Sequence, residues 1–160
     1  MVDCSELVRQ IGDLLKLRRW MLATAESCTG GLVGHYMTAI SGSSDYYQGG
    51  VIAYANEIKQ ALLSVPAELL YSVGAVSAEV ALAMARGVCV TCNAQVGLSS
   101  TGIAGPTGGT LLKPVGTVFI GYSGAKGTKS VRLNLPGDRY LIRWRSSQAA
   151  LDYLRRQIMH

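Results

Sequence analysis

A serine inside a polar, glycine-rich turn, Glu26-Ser27-Cys28-Thr29-Gly30-Gly31, is the first place in this sequence where chemistry could be done. An apolar run from Trp20 to Ala25 leads into the turn, and Leu32, Val33, Tyr36 and Met37 follow it at helical spacing. A strand–turn–helix passage of this kind presents free backbone N–H groups, which suit an anion or a developing oxyanion. A second stretch of the same character runs from Thr101 to Gly109. Each alone is ordinary turn geometry, but two in one small chain point to a polar ligand bridging them. Ser27 also has a plain structural role open to it, as a helix N-cap worth about 1 kcal/mol. Thr29 offers a second hydroxyl for that cap, which would free Ser27.

A serine nucleophile needs a base. Of the two histidines, His160 is the last residue of the sequence. His35 follows Ser27 along the same predicted helix, about 12 Å of rise away. Neither suits Ser27, so a Ser-His-Asp triad is excluded and a lysine is the remaining candidate. The lysines are Lys16, Lys59, Lys113, Lys126 and Lys129. Lys59 falls in the first turn of a predicted helix, just after a predicted strand from Tyr46 to Tyr54. That is the sheet end where Ser27 belongs if the strands are parallel. A desolvated lysine there has a lowered pKa and supplies a neutral amine. Spacing alone favours the plainer reading, a solvated helix lysine. Ser27 does not head an S-x-x-K dyad, since Gly30 stands at the lysine position. Cys28 competes as nucleophile by position, and the same lack of a histidine counts against it.

The elements that must position these residues are legible in outline. Leu7, Ile11, Leu14 and Leu15 mark a helix over Ser5 to Leu17. Ser41-Gly42-Ser43-Ser44 is a turn, and Gly49-Gly50 inside the next strand signals a bulge or a close backbone approach. Asn56 to Ser64 reads as a helix capped by Asn56, Pro66 to Tyr71 as a second, and a third runs from Ser77, its N-cap, to about Thr91. Gln95 to Ser100 reads as a buried strand. Val115 to Tyr122 and Lys129 to Leu135 form a hairpin about residues 123–127. Leu141, Trp144, Gln148, Leu151 and Ile158 mark a final helix that starts near Asp138. Helices alternating with single strands, then a hairpin, predict a three-layer α/β/α sandwich with a mixed, mostly parallel sheet.

The 160 residues suit one domain, with about 70% of the unfolded surface buried on folding. With 49% hydrophobic and 16% charged residues, disorder is excluded. The net charge of +5 is uneven: residues 126–156 hold eight basic side chains against Asp138 and Asp152 alone. That bias fits an anionic ligand such as a phosphate, or a solvated helix face. Nucleic-acid binding is disfavoured, because the aromatics do not interleave with the basic residues. No apolar run reaches the ~20 residues of a bilayer span. The N-terminus, with Asp3 and Glu6, lacks a signal-peptide profile. A cytoplasmic location follows, in which the four cysteines are thiols. Cys89 and Cys92 form a C-x-x-C inside a helical pattern, with no second pair or histidine for a metal, and read as small buried hydrophobes.

A family resemblance joins these pieces. The motifs are Ala25-Glu26-Ser27-Cys28-Thr29-Gly30-Gly31, Ser41-Gly42-Ser43-Ser44, Gly49-Gly50, Tyr54-Ala55-Asn56-Glu57-Ile58-Lys59, Gly74-Ala75-Val76-Ser77, Thr101-Gly102-Ile103-Ala104-Gly105-Pro106, Lys113-Pro114-Val115-Gly116-Thr117 and Gly137-Asp138-Arg139. In this order, over about residues 5–155, the chain resembles the C-terminal domain of competence/damage-inducible protein CinA, also known as nicotinamide-nucleotide amidohydrolase. The resemblance implies deamidation of nicotinamide mononucleotide to nicotinate mononucleotide and ammonia, at a Ser–Lys site without metal or cofactor. It implies Ser27 as nucleophile, Lys59 as base, Tyr54 as a hydroxyl that assists proton transfer, and a homodimer.

A mechanism of that kind places the oxyanion on N–H groups near Thr29, Gly30 and Gly31. The substrate phosphate falls to Thr101, Gly102 and Gly105, with Arg139 or Lys113. Gln95 stands where the family usually has aspartate, Ser99-Ser100 where it has apolar residues, and Ser64 where it has glycine. Two rival readings share the fold: a nucleotide-binding module without turnover, marked by no ammonia release, and an RNA-binding domain, marked by steeply salt-dependent affinity.

Overall fold

The structure, a computed structural model, describes residues 4–159, so Asp3 and His160 lie outside the described residues. Five strands form one sheet in the order β2-β1-β3-β4-β5. They are β1 (Leu22–Glu26), β2 (Tyr47–Ile52), β3 (Val96–Gly102), β4 (Thr117–Gly124) and β5 (Gly127–Asn134). β1 pairs in parallel with both β2 and β3, while β3–β4 and β4–β5 are antiparallel. Four strands therefore run one way and β4 runs against them, as the predicted mixed, mostly parallel sheet requires.

Helices cover both faces, and the side-chain alternation of β1 shows why. Leu22 packs with Ile11, Leu15, Ile142 and Leu151, which come from α1 (Ser5–Arg18) and α6 (Arg139–Ile158). Ala23 and Ala25 point the other way, to Leu63, Val80, Met84 and Val88 of α3 (Asn56–Leu63) and α5 (Ala78–Thr91). α2 (Leu32–Thr38) joins the first layer through Val33 and Met37, and α4 (Ala67–Ser72) joins the second through Leu70. On the second face α5 lies close against the sheet. A Cβ at Gly97 would sit 2.1 Å from the Ala85 carbonyl oxygen, so that position admits no side chain.

The topology selects the site. From β1 the chain crosses one face through α2 to reach β2, and from β2 it crosses the other through α3 to α5 to reach β3. The carboxyl end of β1 is therefore a topological switch point, where open α/β sheets form a crevice. Ser27 follows β1 directly and donates its N–H to Ser100 O of β3, while Ala53 N–H, just past β2, donates to Glu26 O.

Several boundaries differ from those read in the sequence. α3 starts at Asn56 with Ala55 as its N-cap and no side-chain cap, so Asn56 is the first helical residue rather than the cap. β3 extends through Thr101 and Gly102, because their pairing with Phe119 and Val118 of β4 continues the ladder. The hairpin turn is only Ala125-Lys126, with Gly124 paired to Gly127. The register skips a residue between Tyr47 and Gly49, and a Cβ at Gly50 would lie 2.3 Å from Thr24 Oγ1, so the glycine pair marks a bulge and a close approach together. Ser77 and Asp138 cap α5 and α6 through Val80 N–H and Leu141 N–H.

The three departures from the family pattern each have a place here. Gln95 accepts Met21 N–H through its side chain, Ser99 donates to Ala81 O, and Ser100 shares a hydrogen bond with Thr29. Ser64 closes α3 in the left-handed region, φ 53°, where a side chain is strained by about 1 kcal/mol and glycine is not. Ser64→Gly should therefore stabilise the domain by about 0.5–1 kcal/mol, seen as a higher urea midpoint with an unchanged slope.

Candidate active site

The turn that carries Ser27 is built around a buried carboxylate. Glu26, 2% exposed, ends β1 and turns its side chain under the start of α2. Its Oε2 accepts Thr29 Oγ1–H at 2.6 Å and the N–H groups of Gly31 and Val33 at 3.0 and 3.1 Å, and its Oε1 accepts Gly34 N–H at 2.8 Å. The unpaired donors of α2's first turn are thus met by a negative charge, which the helix dipole also favours. Thr29 Oγ1 lies 2.6 Å from Ser100 Oγ as well, tying the turn to β3. With the cap supplied by Glu26, the Ser27 hydroxyl is released from any capping role.

Lys59 is 1% exposed, buried among the strand ends. Its Nζ lies 3.2 Å from Ser27 Oγ, 2.8 Å from Ala53 O and 3.0 Å from Tyr54 O. Among the described residues no carboxylate forms a salt bridge with it. Burial pushes its pKa down from the ordinary lysine value of 10.5, against smaller upward pulls from Cys28 and Glu57. The bonding count explains the use of such a site. A neutral amine has two N–H donors, which the two carbonyls take, and one lone pair, which is left for the Ser27 hydroxyl proton. After proton transfer the ammonium has three donors for the same three oxygens, so a proton moves without any side chain moving.

A cavity of about 340 Å³ opens in front of this pair. Ser27, Cys28, Lys59, Tyr54, Thr101, Gly102, Gly105 and Arg139 all line it. Arg139, at the start of α6, donates to Gly105 O at 2.8 Å and to the Tyr54 hydroxyl at 2.9 Å. Thr101 donates its hydroxyl to Ala75 O. The Tyr54 hydroxyl therefore sits on Arg139 at the exposed mouth, and Tyr54 meets Lys59 through its carbonyl rather than its hydroxyl. Tyr54 nevertheless lines the same cavity as Ser27 and Lys59, and accepting from Arg139 leaves its own hydroxyl proton free to donate.

Thr29, Gly30 and Gly31 do not line the cavity, and the two glycine N–H groups are engaged, Gly30 with Ser27 O and Gly31 with Glu26. The glycine N–H groups expected from the sequence as oxyanion donors are therefore already committed within the turn. Cys28, next to Ser27 in the chain, lines the cavity, and its N–H makes no bond to another residue among those described. The Cys28 thiol is no rival nucleophile: burial pushes it up to about 12, so it stays protonated. Lys113 is also committed, donating to Val73 O at 2.8 Å and pinning the loop after β3 against the end of α4. His35 is exposed, with its ring edge on Tyr36.

Two residues of the site escaped the sequence reading. Glu26 carried a signal, a lone acid at the end of an otherwise apolar strand just before a helix start. Arg143, one helical turn after Arg139, donates from Nε to Cys28 O at 3.2 Å and from a terminal nitrogen to Thr29 O at 3.1 Å. Much of the charge of the basic C-terminal segment is engaged by contacts at the surface: Arg132 to Leu112 O, Arg145 to Pro136 O, and Arg155 and Arg156 to Asp152.

The comparisons with known proteins agree with this architecture. Residues 4–158 match the family model described as CinA C-terminal domain. The chain belongs to the CinA C-terminal domain family. It is 50% identical over 157 residues to a putative competence-damage inducible protein of Halothermothrix orenii, covering 98% of the chain and 38% of that protein. It is 54% identical over 140 residues to a CinA-like protein of Gemmatimonas aurantiaca, covering 88% of the chain and 33% of the relative. The chain thus spans only 33–38% of the length of these curated relatives. Among solved structures, the competence/damage inducible protein CihA of Agrobacterium tumefaciens superposes with TM-score 0.94 at 36% identity, over 100% of this chain and 98% of that one. A CinA superfamily protein of Klebsiella pneumoniae superposes with TM-score 0.94 at 30% identity, covering 99% of each chain. No helix among the described residues of this CinA C-terminal domain is long and apolar enough to cross a membrane.

The buried amine makes stability depend on pH with a definite sign. Because folding lowers the Lys59 pKa, the unfolded chain binds more protons between the folded value and 10.5. The contribution of Lys59 to stability therefore rises with pH through that window. Comparing wild type with Lys59→Met by urea unfolding should show wild type gaining on the variant as the pH rises towards 10.5.

Proposed function

We propose that this domain is an amidohydrolase that converts nicotinamide mononucleotide to nicotinate mononucleotide and ammonia. The single observation that carries the reading is the Lys59 Nζ at 3.2 Å from Ser27 Oγ, buried, with its other donors on two carbonyls. An amine so placed is a general base for the serine and nothing else within reach competes for the role. Membership of the family to which this activity is attributed by resemblance supports the choice of substrate.

The geometry supports the following course of reaction. Ser27 Oγ attacks the carboxamide carbon while Lys59 takes its proton. The oxyanion of the tetrahedral intermediate is held by the Cys28 N–H, a donor of a kind worth about 3 kcal/mol of barrier. Lys59 then returns the proton to the departing nitrogen, ammonia leaves, and an acyl-Ser27 ester remains. Water, deprotonated by the same amine, attacks the ester and releases the nicotinate carboxylate. Arg139 stands at the cavity mouth with two of its five N–H donors engaged, leaving others for the phosphate.

Ammonia release from nicotinamide mononucleotide tests the reading. Ser27→Ala and Lys59→Met should each lower kcat by about a thousandfold or more, with the fold intact. For wild type, kcat/KM should rise with pH and level off at an inflection below 10.5, as Lys59 loses its proton. Undiminished hydrolysis in Ser27→Ala, or no hydrolysis by wild type, would refute the proposal.

A further inference from the structure

We propose that Arg143 is a positioning residue, which holds the turn after Ser27 so that the Cys28 N–H faces the cavity as oxyanion donor. The inference rests on the amidohydrolase reading above and adds a residue outside the cavity to its machinery.

The turn needs such a restraint. Gly30 and Gly31 follow at φ 61° and 97°, where glycine is free to interconvert between backbone conformations. Each peptide unit is a rigid trans plane, with its N–H opposite its C=O, so fixing a carbonyl fixes the amide joined to it. The plane between Ser27 and Cys28 is held by Gly30 N–H on Ser27 O. The plane between Cys28 and Thr29 has its carbonyl on Arg143 Nε, and the plane between Thr29 and Gly30 has its carbonyl on a terminal nitrogen of the same guanidinium. One planar fork thus locks two successive planes, and both peptide planes that meet at Cys28 are held. The approach is close: a Cβ at Gly30 would stand 3.0 Å from that terminal nitrogen. Glu26 grips the opposite side of the same turn through Thr29 Oγ1–H and Gly31 N–H. α6 therefore sends two arginines to the site one turn apart, Arg139 to the cavity mouth and Arg143 behind the nucleophile.

Arg143 is not among the groups that shift Lys59, so its loss should leave the titration of the base in place. Its effect should fall on the step that develops negative charge. The test is the rate at which a fluorophosphonate labels Ser27, followed by intact mass and peptide mapping across neutral to alkaline pH. In that reaction the Ser27 O–P bond forms as the P–F bond breaks, the serine proton passes to Lys59, and fluoride leaves. The anionic phosphoryl transition state uses the same donor as an amide oxyanion. Arg143→Ala should label about 10- to 100-fold more slowly than wild type, with the pH inflection unmoved. Arg143→Lys, which keeps the charge but not the fork and serves if the alanine variant does not fold, should also label at least several-fold more slowly. A merely structural arginine would lower the melting temperature and leave the labelling rate of the folded protein at the wild-type value.

Either variant labelling at the wild-type rate, an inflection that moves with the substitution, or no labelling of wild-type Ser27 would overturn the inference. Ammonia release is read separately. Labelled Ser27 without ammonia from nicotinamide mononucleotide would end the substrate assignment, while the labelling rates would still decide Arg143.

Discussion

An amine buried against two main-chain carbonyls and one serine, with no carboxylate paired to it among the described residues, is the constraint around which this domain is arranged. Holding an unpaired ammonium away from water costs on the order of several kcal/mol, so the position drives Lys59 towards its neutral form. The two carbonyls come from the exit of β2 and the hydroxyl from the exit of β1. Only parallel pairing of those neighbouring strands brings the three oxygens together. α3 must begin at once after β2, because a longer connection would carry Lys59 out of reach of the carbonyls at 53 and 54. The switch-point topology is thus the means by which a lysine is deprived of water.

The nucleophile turn shows a second use of the same economy of parts. A buried carboxylate from the strand end meets the N–H groups below it and an arginine from the last helix meets the carbonyls above it. Between them a segment with two left-handed glycines acquires one conformation. The loop after β3 is treated likewise, with Lys113 on Val73 O, Arg132 on Leu112 O and Arg139 on Gly105 O. Basic side chains that look from the sequence like an anion-binding surface are largely main-chain clamps. Arg139 alone of these lines the cavity.

What was legible in the sequence follows from what is local. The helical spacing of Leu7, Ile11, Leu14 and Leu15, the Ser77 cap and the lone serine in its glycine-rich turn are written within a few residues of themselves. So is the absence of a histidine base, which points to lysine by exclusion. What spacing left open was the burial of Lys59, since only the sheet order decides whether a first-turn lysine faces water or the strand ends. Glu26 in place of Thr29 or Ser27 as cap, Arg143 on Cys28 and Thr29, and the hydrogen bond of Arg139 to the Tyr54 hydroxyl all join residues distant in the chain or reversed by the turn. Gly30 and Gly31 were misleading for a physical reason: their N–H groups are good donors, and the protein itself had already used them.

The claim on which the account turns is that burial lets Lys59 give up its proton at a lower pH than an ordinary lysine. Lysine side-chain NMR, following the 13Cε and 15Nζ shifts of labelled protein against pH and assigned by loss of the Lys59 signal in Lys59→Met, measures this directly. The account predicts that Lys59 titrates below 10.5. A Lys59 midpoint at or above 10.5 would show a permanently charged side chain, and the amine could not be the base for Ser27.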